Sequence, residues 1–124
     1  MTARALLLGL LTAAGTAMVA SPAAAYTYTV ANQSTFVITS FWMHTVSNFC
    51  HDRNWTGALQ PGQSMQISTA SICLVDRVEA STRSGRTTFK ASWSSGFGLP
   101  AGTFYVKNRG PGIYVCWESD WLCR

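Results

Sequence analysis

The chain is poor in the residues that carry acid–base and metal chemistry. It has five acidic residues and two histidines among 124 positions, and its only closely spaced carboxylates are Glu118 and Asp120. A glycosidase needs two carboxylates facing each other across a cleft, and calcium needs more oxygen ligands than any loop here offers. C-x-x-C pairs and G-x-S-x-G elbows are also missing, which disfavours zinc and serine-hydrolase chemistry. We therefore expect no metal and no cofactor.

Long apolar runs and helical patterns are missing after residue 25. Before it, a single charge at Arg4 precedes an apolar stretch at residues 5–11, and small residues at 21–25 lead to Tyr26. This order is typical of a secretory signal peptide, and the apolar stretch is shorter than the roughly 20 residues of a membrane span. We predict a signal peptide at 1–25, no transmembrane segment, and one secreted, extracellular domain at 26–124.

The rest of the chain has the period-two pattern of strands. Residues 35–43 form its densest run of β-branched and aromatic side chains, which predicts a central strand. Strict alternation would put Phe36, Ile38, Ser40 and Trp42 on one face. Residues 44–63 and 94–102 lack alternation and are predicted loops. About seven short strands with turn signals between them predict an all-β fold, a small antiparallel β-sandwich or barrel.

Four cysteines lie after the predicted signal peptide, at Cys50, Cys73, Cys116 and Cys123. An even number in an exported chain favours two disulfides. Three pairings are possible, and we prefer Cys50–Cys73 with Cys116–Cys123, because the last two cysteines are close enough to pin the C-terminal tail. Loop-closure entropy gives about 3 kcal/mol for the first bridge and about 2.5 kcal/mol for the second.

The charge of the predicted mature chain is mildly positive. Nine basic residues include Arg4, so eight remain against five acidic ones, a net charge of +3. Arg83 and Arg86 lie in one predicted turn and suit attraction to an anionic surface. The chain has neither a basic–aromatic RNA-binding pattern nor a helix that could enter a groove, so we expect no specific nucleic-acid binding.

Aromatic residues are abundant, and we predict that Trp42, Trp93 and Trp117 belong to the core. Trp55 and Trp121 lie among polar residues, where an indole either folds back onto the sheet or forms an exposed contact platform. Phe97 lies in a glycine-rich loop. These side chains are the predicted binding residues, together with Arg83 and Arg86.

The first functional hypothesis is a secreted, non-enzymatic recognition protein of the inhibitor or defence type. It would be a monomer that presents its loop aromatics to an extracellular protein, a glycan or an anionic surface. One alternative is a small secreted hydrolase or ribonuclease with His44, His51, Asp52 and Arg53 as its catalytic groups. A second alternative is a membrane-active toxin that uses Phe97, Leu99 and the basic turns.

Small size, an export signal and a two-disulfide β framework resemble the secreted bacterial enzyme inhibitors that include the α-amylase inhibitors of the tendamistat type. The chain lacks the Trp-Arg-Tyr turn of those inhibitors. The segment Val-Ala-Asn-Gln-Ser at residues 30–34 is similar to an edge found in aegerolysins and other sandwiches. Both resemblances imply a β architecture, and neither assigns a role to a residue.

Overall fold

The computed structural model describes residues 26–47, 49–70 and 72–123, and the predicted signal peptide at 1–25 lies outside them. This part of the chain forms eight strands and a short C-terminal 3₁₀ helix. The strands are β1 (Tyr26–Asn32), β2 (Ile38–Thr45), β3 (Arg53–Leu59), β4 (Ser64–Thr69), β5 (Val75–Ser84), β6 (Thr87–Leu99), β7 (Gly102–Arg109) and β8 (Gly112–Trp117), and the helix is Trp121–Cys123. The all-β prediction is confirmed.

The strands form two four-stranded sheets. Sheet A has the order β4-β1-β7-β8, and sheet B has the order β3-β2-β5-β6. Neighbouring strands are antiparallel except β1 and β7, which run parallel with Tyr28 opposite Gly102. These paired residues are 74 positions apart in the chain, so no hairpin joins the two strands and their mutual direction is set by packing rather than by a turn.

The core lies between the sheets and is built around the buried Phe104 of β7. Its ring centroid lies 4.7 Å from that of Trp117, 5.4 Å from Trp93 and 5.9 Å from Phe41. Tyr28 lies on a further side at 6.3 Å. Such offset and tilted aromatic packing buries large side chains from both sheets at one point. Trp93 and Trp117 therefore belong to the core, as predicted.

Trp42 does not belong to the core, because a β-bulge in β2 changes the phase of the strand. The pairing of β2 with both neighbours shifts between Ile38 and Ser40. An extra residue moves every later side chain to the opposite face. Ile38, Phe41 and Met43 are consequently all buried. The prediction that Ile38 and Trp42 lie on the same face of the strand is therefore wrong. Trp42 lies on the outer face of sheet B.

Both predicted disulfides are confirmed, at Cys50–Cys73 and Cys116–Cys123. Cys50–Cys73 joins the segment after β2 to the segment before β5. Thr45, Val75 and Leu99 are aligned across sheet B at this end of the sandwich, whereas the β5–β6 hairpin turn at 84–87 lies at the other. The second bridge ties the 3₁₀ helix to β8.

Tyr28 gives the fold a testable pH dependence. It is fully buried, and its hydroxyl donates a hydrogen bond to the Leu99 carbonyl. Burial raises the pKa of Tyr28 from 10.0 to about 12, because the phenolate is poorly solvated inside the protein. The unfolded chain therefore loses this proton first as the pH rises. The stabilisation is complete below pH 10 and declines as the pH rises towards 12, by about 2 to 3 kcal/mol in total.

Urea unfolding of the native protein and of Tyr28→Phe between pH 8 and pH 12 measures this effect. The difference in free energy of unfolding between the two proteins should be constant below about pH 10. Above that pH the native protein should lose stability relative to Tyr28→Phe. Ionisation of the other tyrosines is common to both proteins and cancels in the difference. Parallel curves over the whole range would contradict the assignment.

Candidate recognition surfaces

Four large apolar side chains are exposed at the end of the sandwich that carries the Cys50–Cys73 bridge. Phe49 is 90% exposed, Phe97 71%, Ile72 67% and Val46 45%. We call these four residues the apolar end. Isolated apolar residues are common on protein surfaces, but a group of this size at one place is typical of an interaction site.

Leu74 and the neighbouring disulfide bring the apolar end together. The Val46 amide donates to the Leu74 carbonyl over 3.0 Å. Gly98 packs so closely on Leu74 that a Cβ on the glycine would lie 2.5 Å from the Leu74 Cβ. Phe97 immediately precedes this glycine. Cys73 immediately precedes Leu74 and is disulfide-bonded to Cys50. Three separate chain segments are thus fixed at one point.

Ile72 has a backbone conformation that its side chain disfavours. Its φ is +64°, whereas a β-branched residue rarely adopts positive φ. The Cys73 amide donates to the Ala70 carbonyl over 3.1 Å, which places Ile72 third in a turn whose third position normally takes glycine. Such strain costs about 1 to 3 kcal/mol. Since the Ile72 side chain is mostly exposed, it buries little apolar surface that could offset the cost of this strain.

The carboxylates near the apolar end have partners within the protein. Asp52 Oδ1 accepts a hydrogen bond from the Thr45 amide at 3.3 Å. Asp76 Oδ1 lies 2.6 Å from Nδ1 of His44. Two cations, Arg53 at the start of β3 and Arg77 near the start of β5, are exposed close to the same end. The formal charges near the apolar end therefore balance, two cations against two carboxylates, but both carboxylates already have partners within the protein whereas the arginines are exposed.

Trp55 and Trp121, the two predicted indole platforms, lie in different environments. Trp55 is opposite the buried Phe41 in the register of β3 and β2, and it packs against the core. A Cβ on Gly57 would lie 2.7 Å from the Trp55 ring, so the indole lies over the glycine of its own strand. Trp121 is 75% exposed on the C-terminal 3₁₀ helix.

The predicted loop at 44–63 is wrong in its second half, because Arg53–Leu59 forms edge strand β3. Most of the predicted loop at 94–102 belongs to β6, which reaches Leu99. Arg83 and Arg86 lie at the β5–β6 hairpin, at the opposite end from Phe97. The predicted aromatic and basic binding residues therefore do not form one surface.

The predicted catalytic residues lie near the same end of sheet B, with Arg53 opposite Met43 in the register of β3 and β2, but their side chains have different partners. His44 is on the outer face of sheet B beside Trp42 and pairs with Asp76, whereas His51 is exposed and Asp52 binds the Thr45 backbone. Across residues 26–47, 49–70 and 72–123, no hydrogen bond joins the two histidines. The same residues contain no group of three histidine, cysteine or acidic side chains placed to hold a metal.

Sequence reasoning missed Val46, Phe49 and Ile72. Phe49 immediately precedes Cys50, and Ile72 immediately precedes Cys73. An apolar residue beside each cysteine, within otherwise polar segments, is a sequence signal that predicts a shared apolar surface. A disulfide brings the residues next to its two cysteines close together, whatever the topology of the rest of the fold.

Comparison with known proteins gives information about the fold. No protein-family model and no curated protein matches this sequence. A solved structure, the NMR structure of a protein from Eubacterium rectale, has a TM-score of 0.59 and 12% sequence identity, and the match covers 85% of this chain and 99% of that one. Among the residues described, no helix is long and apolar enough to span a membrane. The chain is thus similar in fold to a small bacterial protein of very different sequence.

Proposed function

We propose that this protein is a secreted, non-enzymatic recognition domain that docks onto an anionic lipid surface through its apolar end. The observation that carries this proposal is the grouping of Val46, Phe49, Ile72 and Phe97, all exposed, at one end of the sandwich. Docking on a cell surface is compatible with the first functional hypothesis, a recognition protein of the inhibitor or defence type.

The shape of the apolar end favours a bilayer over a protein groove. Its side chains come from two connecting segments and a bulged stretch of β6, and they are exposed at one end of the sandwich. A bilayer interface accepts such exposed apolar groups without a complementary pocket, and aromatic rings are favoured at that depth.

The overall charge of the chain is compatible with the same partner. The chain from residue 26 carries a net charge of +3, and the exposed Arg53 and Arg77 near the apolar end are available to headgroups, whereas Asp52 and Asp76 contact partners within the protein. Each basic side chain near an anionic leaflet contributes about 1 kcal/mol of attraction. The apolar groups supply insertion, and the cations supply attraction to anionic headgroups.

Rigidity lowers the entropic cost of docking. The Cys50–Cys73 bridge and the Val46–Leu74 hydrogen bond hold the segments in place before any partner arrives. Ordering loops on binding costs free energy, so a preorganised surface binds more tightly than a flexible one with the same side chains.

Vesicle sedimentation with the secreted, disulfide-bonded protein tests the proposal. Vesicles that contain phosphatidylserine should bind the protein, and Phe49→Asp should weaken binding at least about tenfold, because the loss of one exposed aromatic ring from the bilayer costs well over 1 kcal/mol. Leu122→Asp is a matched control, since Leu122 is 53% exposed on the C-terminal 3₁₀ helix. Equal losses in both variants, or no binding by the native protein, would overturn the proposal.

Two further pairs of variants sharpen this experiment. Arg53→Glu should weaken binding, whereas Arg86→Glu, at the far hairpin, should leave it within about twofold. Ile72→Gly should weaken binding while the free energy of unfolding stays the same or rises by about 1 kcal/mol, because glycine relieves the positive-φ strain. This opposite effect on binding and stability separates a docking role for Ile72 from a merely structural one.

A further inference from the structure

The outer face of sheet B carries a tryptophan at its centre. Trp42 of β2 lies directly opposite Asn54 of β3 on one side and Glu79 of β5 on the other. Ser40, Ser81 and Lys90 line the same shallow concavity, whose volume is about 550 Å³. This surface runs along the strands and is distinct from the apolar end.

Trp42 is held by its neighbours on the sheet. The guanidinium carbon of Arg77 lies 5.3 Å from the centroid of the indole, within the range of a cation–π contact. The ring of His44 lies 5.9 Å from the indole and is itself fixed by Asp76. The indole is therefore positioned before any ligand binds.

The polar side chains around Trp42 have unused hydrogen-bonding capacity. Within the part of the chain that the structure describes, His44–Asp76 is the only ion pair. The Glu79 carboxylate, the Lys90 amine and the Asn54 amide line the concavity without an ionic or hydrogen-bonding partner among those residues. Acceptors and donors thus lie on both sides of one aromatic ring.

The balance of charge and polarity identifies the ligand class. Two basic side chains, Arg77 and Lys90, are balanced by two acidic ones, Glu79 and Asp76, so this surface has no excess of one sign that would attract a polyanion. An indole surrounded by amide, carboxylate, amine and hydroxyl groups suits a ligand with an apolar ring face and many hydroxyls. A sugar ring has both properties.

We propose that the outer face of sheet B binds a neutral oligosaccharide. Trp42 stacks against the C–H face of one sugar ring, while Asn54, Glu79 and Lys90 exchange hydrogen bonds with the hydroxyls. The shallow, open shape fits several sugar units of a chain that continues beyond the site. This inference does not depend on lipid docking, because its ligand contacts Trp42, Asn54, Glu79 and Lys90, none of which belongs to the apolar end. Arg77 lies near both surfaces, and here it only positions the indole.

NMR titration of the ¹⁵N-labelled secreted protein tests the inference. Cellohexaose, chitohexaose and xylohexaose are the probes, and at least one should shift the Trp42 indole signal while that of Trp121 remains in place. Trp42→Ala should weaken binding of that sugar at least about tenfold, since an aromatic anchor carries much of the affinity of such a site. Trp42→Phe keeps an aromatic ring and should lose less, and Trp121→Ala should bind like the native protein.

The two surfaces can be tested separately. Phe49→Asp should keep oligosaccharide binding, and Trp42→Ala should keep vesicle binding. The oligosaccharide inference is wrong if none of the three sugars shifts the Trp42 signal, if Trp42→Ala binds as tightly as the native protein, or if short peptides shift that signal and sugars do not.

Discussion

Replacing Asn32 by alanine should lower the free energy of unfolding by about 3 to 4 kcal/mol. Asn32 is 1% exposed at the end of β1. Its side-chain amide donates to the carbonyls of Phe36 and Leu59 over 2.7 and 2.9 Å, and its Oδ1 accepts from the amide and the hydroxyl of Ser34 at 3.0 and 2.6 Å. Alanine would remove these partners from the Leu59 carbonyl and the Ser34 amide, at about 1 to 3 kcal/mol for each one that stays buried and unpaired. The Ser34 hydroxyl and the Phe36 carbonyl would keep their contact with each other at 3.3 Å.

Asn108→Ala is a control with the same change of side chain. Asn108 is exposed, and its Oδ1 accepts from the Thr35 amide and hydroxyl at 3.0 and 3.2 Å. Water can replace those bonds, so its loss should cost less than about 1 kcal/mol. Urea unfolding of both variants measures the two effects, and similar losses would show that burial of the Asn32 network adds no stability.

Asn32 illustrates which parts of the fold the sequence could predict. Alternation in residues 26–30 indicated β1 correctly, and the cysteine spacing gave the right disulfides, because both signals are local or concern a few residues. The bridging role of Asn32 depends on β1 lying beside the ends of β3 and the start of β2, and no local pattern encodes that arrangement. The parallel pairing of β1 with β7 is unpredictable for the same reason.

The candidate sites were harder to predict than the core. Strict alternation in residues 36–43 predicted Trp42 on the core face of the sheet. The bulge after Ile38 puts its side chain on the outer face instead. Strand β3 contains Asn54, Gly57 and several exposed positions, so as an edge strand it lacks the apolar pattern that marks a buried one. Phe97 was identified in advance because a bulky ring in a glycine-rich segment stands out without knowledge of the topology.

The two proposed surfaces are compatible with each other in space. The apolar end lies where β2 ends and β5 begins, whereas the Trp42 face extends along those strands. A sandwich that inserts its tip into a bilayer would therefore keep the outer face of sheet B exposed to solvent. The same molecule could hold a lipid surface and a sugar chain at once, with neither contact covering the other.

Removal of the Cys50–Cys73 bridge by replacing both cysteines with alanine should cost about 3 kcal/mol of stability, because the bridge closes a chain segment with a sequence separation of 23. It should also abolish most vesicle binding even where the protein remains folded, since Phe49 and Ile72 then move independently.

Removing Cys116–Cys123, with a separation of 7, should cost a similar amount, about 2.5 kcal/mol, yet leave vesicle binding intact. Denaturant unfolding and vesicle sedimentation on both double variants measure the two effects. Equal losses of vesicle binding at matched folded fraction would mean that general destabilisation, rather than fixation of the apolar end, accounts for the change.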